Sequence, residues 1–443
     1  MLAKPPLRGR AKSRLAAELG LGAAARLARA MLLDSWAGLP TELPGARRLL
    51  ARCDASERYP QLTPEPDAVL DQGHGDLGQR MARLLADALA EQPRAVLLGT
   101  DAPGRPPEHL RAVHALLEDH DLVLGACEDG GFWCLASRAS AAALHTPTWL
   151  DALDWERDDT ATQVRARAAQ LGLSLGEAPA WFDLDHARDL KTFPERAARE
   201  RAPRLHALLR DDPCTDPLSI VLPTLDEGAL LDTALAALAE QPGPLEIVVA
   251  DGGSRDGSLQ RAIESREHVV VRAAPGRGRQ LAAGCALSTG EQLLVLHVDT
   301  RLPPGATQQV RDTLHAGISG AGAFVIHTQA DPDTPNFAGP LLRLGDLRSR
   351  FTRHPYGDQA MFFTRAHYDA VGGFRPLPIM EDYDLSRRLA ARTHLARLRP
   401  AVRVSGRRIQ RHPLRSLLLM RLLPPLFRMG VDPERLARVY RRG

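Results

Sequence analysis

Two short stretches end an apolar run on a carboxylate and then turn on prolines: QLLVLHVDTRLPPG (292–305) and RAVLLGTDAPGRPP (94–107). A strand that carries Asp299 or Asp101 to its carboxyl end sets a negative charge where open α/β sheets bind their ligands. Other acids cluster where strands end, Asp226 and Glu227 after LSIVLPT and Asp251 after EIVVA, with Asp358 and Gln359 of YGDQAMFF as further cleft residues, and Glu381 with Asp382 stand at the start of a helix in PIMEDYDLSRRL. Carboxylates gathered at one cleft repel and raise one another's pKa, so the natural occupant is a hard cation or a hydrogen-bonding ligand. Magnesium or manganese held by one or two carboxylates completes its shell with phosphate oxygens, which points to a nucleotide diphosphate. Asp299 is the candidate metal ligand, with His297 two residues earlier on the same face; the alternative is that Asp299 only caps the following turn.

Glycine loops carry the complementary charge. In APGRGRQLAAGCALSTGE (274–291), Arg277 and Arg279 lie on a glycine loop that opens a helix, a setting suited to an anionic donor. ADGGSRDGS (250–258) puts two glycines after Asp251 and lets a ring or ribose approach the backbone, although such a turn is also an ordinary strand-to-helix connection. At the start, MLAKPPLRGRAKSRLA crowds Lys4, Arg8, Arg10, Lys12 and Arg14 around Gly9, either a phosphate cradle or a solvated surface. Glu381 and Asp382 open a helix, where acids also serve as dipole partners. Spacing does not decide which of the two is a base.

These residues need strands that end along one edge. Strand-like and helix-like runs alternate throughout, the pattern of a mostly parallel sheet covered by helices, and the pattern occurs twice. In the second half the strands read LSIVLPT (218–224), EIVVADGGS (246–254), VVVRAAP (269–275), QLLVLHVDT (292–300), GAFVIHT (322–328) and QAMFFTR (359–365). In the first half AVLLGTD and DLVLGACED are clear, with weaker strands near ARRLLARCD and LSLGEAP. Between the halves, RERAPRLHALLRDDPCTDP replaces periodic apolar residues with charge and proline. The expected organisation is a first domain over 1–199, a linker over 200–217 and a second domain over 218–443.

A chain of 443 residues exceeds what one core usually serves, and 57 basic against 54 acidic residues leave a net charge of only +3. That balance, with acids interleaved among the arginines, argues against nucleic acid as a partner. Five scattered cysteines without metal spacing suit reduced thiols in a cytoplasm. No signal peptide is evident and no apolar run reaches the length of a spanning helix. The nearest, LRSLLLMRLLPPLFRMG (414–430), is interrupted by Arg421 and Pro424–Pro425; it suits a helix packed on its own domain or a second subunit, or peripheral contact with a membrane.

PTLDE, DGGSRDGS, GRGRQLAAG, LHVDTRLP, YGDQAMFF, GGF, MEDYDLSRRL and RMGVDPERLARVYRR, spanning 218–442, together resemble the family 2 glycosyltransferases of GT-A fold. Within them they resemble the group called arsenosugar-biosynthesis or radical-SAM/selenodomain-associated transferases. The resemblance implies a nucleotide-sugar donor, a small-molecule acceptor, a divalent metal (Mn2+ or Mg2+) at Asp299, nucleotide contacts from Asp251 and Glu227, and Asp382 as general base of an inverting transfer. Asp226 departs from the asparagine that members often carry. In the first half GDLGQRM, GTDAPGRP and EDGGFW resemble the partner transferase family of radical-SAM/selenodomain systems, whose GT-A-like fold is related to nucleotidyltransferases such as phospholactate guanylyltransferase. This second resemblance implies Asp101 as a metal ligand, Lys12 and Arg14 as phosphate contacts, and Asp76 and Asp129 as cleft residues. Only three residues precede Lys4, so most of a first strand is expected to be missing. The expected fold is α/β, two GT-A-like domains, and the expected activity is sugar transfer. The first half is then either a nucleotidyltransferase that makes the donor or a non-catalytic nucleotide-binding or dimerisation module.

Overall fold

The computed structural model describes residues 1–53, 58–151, 153–155, 157–264, 268–330 and 346–441; Arg442 of the tail motif lies outside them. The chain divides into two compact units, Met1–Thr215 and Asp216–Gly443.

In the first unit the strands are β1 (Leu2–Ala3), β2 (Leu49–Arg52), β3 (Ala68–Asp71), β4 (Arg94–Leu98), β5 (Leu122–Cys127), β6 (Phe132–Arg138) and β7 (Leu175–Trp181). They form a parallel sheet in the order β1-β2-β3 and a mixed sheet in the order β4-β6-β5-β7. Helices α1 (Ser13–Leu19), α2 (Leu21–Glu42), α3 (Leu77–Glu91) and α4 (Pro107–Asp119) cover them. Side chains of β1 alternate between two cores, as a strand's must. Met1 and Ala3 pack with Trp36, Leu98 and Leu110, while Leu2 packs with Met81, Leu85 and Leu97.

Residues 203–210, expected within a linker, instead form α5 (Pro203–Arg210) of the first unit. Its Leu205 is fully buried with Phe193 and Leu27, and Asp34 of α2 accepts hydrogen bonds from Leu205 N (3.0 Å) and Arg204 Nη1 (3.2 Å). Proline at the first helical turn and leucines at 205, 208 and 209 make a helix with an apolar face, so the charge around it marks a surface rather than a boundary.

The second unit holds one eight-stranded sheet, ordered β10-β9-β8-β11-β14-β13-β15-β12. Its strands are β8 (Leu218–Thr224), β9 (Leu245–Asp251), β10 (Val269–Arg272), β11 (Gln292–Val295), β12 (Thr300–Arg301), β13 (Ala321–Gln329), β14 (Phe362–Thr364) and β15 (Leu395–Ser405). All seven residues of β8 are buried, as befits a central strand covered on both faces. Parallel register sets Thr224 beside Asp251 and Val221 beside Val295, which brings the strand ends into line. Helices α6 (Gly228–Ala239), α7 (Arg277–Leu287), α8 (Ala306–His315), α9 (Glu381–Ala390), α10 (Pro413–Arg428) and α11 (Pro433–Arg441) surround the sheet. On one face Ile220, Leu222, Val249, Leu294, Phe324 and Phe362 pack against Leu231 and Leu238 of α6 and Val310 of α8. Strands β3, β6 and β15 were not anticipated. In β15, LARLRPAVRVS alternates arginine with apolar residues around a proline and reads as surface until its pairing with β13 is known.

The α/β class with helix-flanked sheets is as expected, and the two units share one plan. Strands β3-β2-β1 and β4-β6-β5-β7 follow the succession β10-β9-β8 and β11-β14-β13-β15, with the same parallel and antiparallel senses. They differ at the centre: β8 pairs with β11, whereas among the described residues no backbone pairing links the two-residue β1 to β4.

Candidate functional site

In the second unit the ends of β8 and β9 are laced together before any ligand arrives. Asp251 is fully buried and accepts from Gly253 N (2.8 Å) and Ser254 N (3.2 Å). Asp226, in the left-handed region at φ 54°, accepts from Arg255 N (2.6 Å), and its own N–H meets Ser254 Oγ at 3.0 Å. Glu227 N donates to Ser258 Oγ (3.2 Å). Gln280 of α7 donates to Thr224 O (2.7 Å) and Ala250 O (3.0 Å), tying the helix that begins at Arg277 to both strand ends. A Cβ on Gly278 would lie 2.5 Å from Arg375 O, so only glycine lets the start of α7 meet the loop before α9.

At that meeting point charges converge. Arg277 Nε lies 3.9 Å from Glu381 Oε1, and burial, which alone would lower its pKa, is outweighed by Glu381, Asp382 and Asp299, so the guanidinium is held charged. Its side chain is half exposed, leaving donors for a ligand. Glu381 is buried; burial first and Asp382 second push its carboxyl up to about 7, against the opposing pull of Arg277. Asp382 is fixed by Gly357 N on Oδ2 and Tyr383 N on Oδ1, both at 2.6 Å. A Cβ on Gly357 would fall 2.7 Å from His297 Nε2 and 3.1 Å from Asp382 Oδ2, which puts the imidazole and the carboxylate on either side of one bare backbone position. Met380, just ahead of Glu381, is itself left-handed at φ 66°. Arg279 is exposed, donates to Pro275 O (3.2 Å), and stands two residues after Arg277.

The donor set suits a divalent ion. Among the described residues His297 Nε2 is buried with no hydrogen-bond partner, and burial and Arg277 hold the ring well below its usual pKa, so it presents a neutral lone pair. Asp358 Oδ1 is likewise buried and unpartnered among the described residues, and burial raises its carboxyl. Asp299 adds a carboxylate close enough to act on Asp358 and Arg277. Among the described residues no group of three His, Cys, Asp or Glu closes into a metal cage by itself. Gln359 is buried, donating to Phe324 O (3.1 Å) and accepting from Tyr356 N (3.1 Å), so its amide is already engaged with the backbone.

The first unit has a cavity of about 480 Å³ lined by Lys4, Lys12, Arg14, Arg80, Asp101, Asp183 and Asp185 among others. Lys12, left-handed at φ 51° and only 7% exposed, bridges Asp101 Oδ1 (2.9 Å) and Asp185 Oδ1 (2.8 Å). Burial alone would lower its pKa, and the two carboxylates more than offset that. Arg14 meets Asp185 Oδ2 at 3.1 Å. Asp183 is pushed up to about 7 by burial, Asp129 and Asp185, with Lys12 opposing. Asp129 is exposed and closes its own turn on Gly131 N (2.9 Å). Asp76 is a correction: it caps α3 in a reciprocal box with Gln79 and does not line the cavity. Asp183, Asp185 and Arg80 were missed. The signal was WFDLDHARDL, where two carboxylates at i and i+2 follow a strand and so share a face.

Residues 41–157 match the family described as "Uncharacterized protein conserved in bacteria (DUF2064)", and residues 219–384 match "Glycosyl transferase family 2". A 3-phospho-D-glycerate guanylyltransferase from Phenylobacterium zucineum (strain HLK1) is 34% identical over 185 residues, 40% of this chain and 82% of the relative. Among solved structures, a protein of Desulfovibrio desulfuricans G20 described as a nucleotide-diphospho-sugar transferase is 26% identical with a TM-score of 0.42, over 47% of this chain and 92% of that one. The mannosyltransferase PcManGT of Pyrobaculum calidifontis, solved with GDP-Man and Mn2+, is 17% identical with a TM-score of 0.35, over 46% and 61%.

Proposed function

From the premise that the chain belongs to the family of the guanylyltransferase relative through one domain and is a glycosyltransferase through its family 2 domain, we propose the following reaction. The second unit moves a sugar from a nucleotide-sugar donor to a small-molecule acceptor, with inversion and with a divalent metal. The observation that carries the reading is the convergence of Arg277, Asp299, Glu381 and Asp382 at the start of α7 and α9.

Asp251, Asp226 and Glu227 form the bed for the nucleoside, the backbones of Asp226 and Glu227 held by the hydroxyls of Ser254 and Ser258 and the Asp251 carboxylate by Ser254 N. Arg277 and Arg279, at the N-terminus of α7, face the departing diphosphate, where backbone N–H groups add their partial charge. Asp382, held by two amides, accepts the acceptor's hydroxyl proton as the new glycosidic bond forms and the bond to phosphate breaks. Glu381 positions Arg277. Asp299 and His297, with Asp358 behind them, would hold the metal, which supplies charge neutralisation on the diphosphate when bound. The test is a transfer assay over a panel of nucleotide sugars with manganese, comparing wild type with Asp382→Asn. Absence of both transfer and nucleotide-sugar hydrolysis by the wild type across that panel would overturn the reading.

A second reading rests on Lys12 between Asp101 and Asp185. The first unit is then a nucleotidyltransferase: Lys12 and Arg14 receive the triphosphate, Asp101 with Asp183 and Asp185 would hold a metal, and a phosphorylated small molecule is joined to the nucleotide with release of pyrophosphate. Supplying the donor used by the second unit gives the fusion a purpose. Both reactions draw on nucleotides, which suits the cytoplasmic location expected from the free cysteines.

A further inference from the structure

Helix α10 is apolar on two sides. One side, with Leu419, Leu423, Leu426 and Phe427, packs on Met380, Tyr356 and Tyr383. The other carries Leu414, Leu418 and Leu422, recurring every fourth residue and therefore aligned in a row. These leucines are 80%, 56% and 44% exposed, and Met429, at 74%, extends the row beyond the helix. Single exposed leucines are ordinary on a protein surface, but a row along one helix marks an interaction face. Arginine borders it. By helical spacing Arg421 and Arg428 fall along one flank and Arg415 along the other, with Arg411 just ahead, and no Asp or Glu occurs between Arg407 and Gly430.

We propose that this face of α10 docks on an anionic lipid surface, its leucines at the acyl boundary and its arginines reaching the headgroups. Charge selects this occupant. A second copy laid on the same face would set Arg415, Arg421 and Arg428 near their own counterparts with no carboxylate in the segment to pair with them. Anionic headgroups neutralise the same residues. The helix is 16 residues long with Pro424 and Pro425 inside it, and no helix among the described residues is long and apolar enough to cross a membrane, so α10 lies along the surface. Its packed face touches Tyr383, the neighbour of Asp382, and docking thus brings the lipid to the side of the unit that holds the acid pair.

The full-length protein is sedimented with phosphatidylcholine vesicles containing or lacking phosphatidylglycerol. Binding is expected to the anionic vesicles, at least about tenfold weaker to the neutral ones and weakened by salt. The double variant Leu418→Gln/Leu422→Gln should lose at least about tenfold of that binding while its circular dichroism and melting stay those of the wild type, and Arg421→Gln should lose a few-fold. No binding by the wild type, or full binding by the double variant, overturns the proposal. So does a lipid-free dimer that the double variant converts to a monomer, which would assign the face to a second copy.

Discussion

The two units carry an acid to the end of the equivalent strand but answer it from different places. Asp101 follows β4 in the first unit and Asp299 follows β11 in the second. In the first, the cation is Lys12, from the loop after the opening strand, nearly buried and in contact with two carboxylates. In the second it is Arg277, from the helix after β10, half in water and 3.9 Å from its nearest acid. A buried ammonium is a point charge that needs its partners to repay desolvation, so Lys12 is part of the site's construction. A half-exposed guanidinium keeps unused donors and can turn to an arriving phosphate. One sheet plan therefore yields a site whose cation is already paired with two carboxylates and a site whose cation stands half in water.

The largest effects should separate the two clefts. Asp299→Ala is expected to abolish transfer from a supplied nucleotide sugar by at least about 1,000-fold, while pyrophosphate release from triphosphate and a phosphorylated substrate continues. Asp101→Ala should give the reverse. Pyrophosphate release that fell with both variants would mean that one cleft serves both reactions. Next, Asp382→Asn should slow transfer by about 100- to 10,000-fold with donor affinity unchanged, as measured by single-turnover rates and equilibrium titration. Loss of transfer on Glu381→Gln instead would move the base by one residue.

Stability sharpens the contrast between the cations. Lys12→Met leaves Asp101 and Asp185 facing each other and should cost the first unit about 1–3 kcal/mol, part of Asp101's charge being already screened by water. Arg277→Met should cost the second unit less than about 1 kcal/mol. Equal losses in urea unfolding would erase the distinction. The last effect is set by pH. Glu381 titrates near 7 when folded and near 4.5 as an ordinary glutamate, so the unfolded chain ionises first and stability falls as pH rises from about 4.5 to 7. Glu381→Gln removes that slope. The variant should match the wild type below pH 4.5 and exceed it by about 1–3 kcal/mol at pH 8, and equal stability at both pH values would show that burial does not tax this carboxyl.

Much of this was legible because it is local. An apolar run that ends on an acid, or a glycine loop with two arginines before a helix, states its conformation within a few residues. Asp101, Asp251 and Asp299 stand at or just past such strand ends, and the Glu381–Asp382 pair opens a helix. The same locality misled where a neighbouring residue could absorb the polar group. Asp76 looked like a cleft acid and spends its carboxylate on Gln79 N, 2.9 Å away; Gln359 spends its amide on the backbone beneath it. The charge and proline around α5 looked like a linker until Leu205 was seen against Asp34 and the core.

By itself the sequence determined the α/β class, the two-fold recurrence of the plan, and which strand ends carry charge, since periodicity and turn chemistry act over short stretches of chain. Only the tertiary structure decided which charges meet. Lys12 and Asp185 are 173 residues apart and 2.8 Å from each other. Glu381 acquires its pKa near 7 from what covers it, and His297 Nε2 comes close to the backbone of Gly357 because that residue has no side chain to fill the space. Desolvation and Coulomb interaction depend on distance through space, and a linear sequence does not state that distance until the sheet has set it.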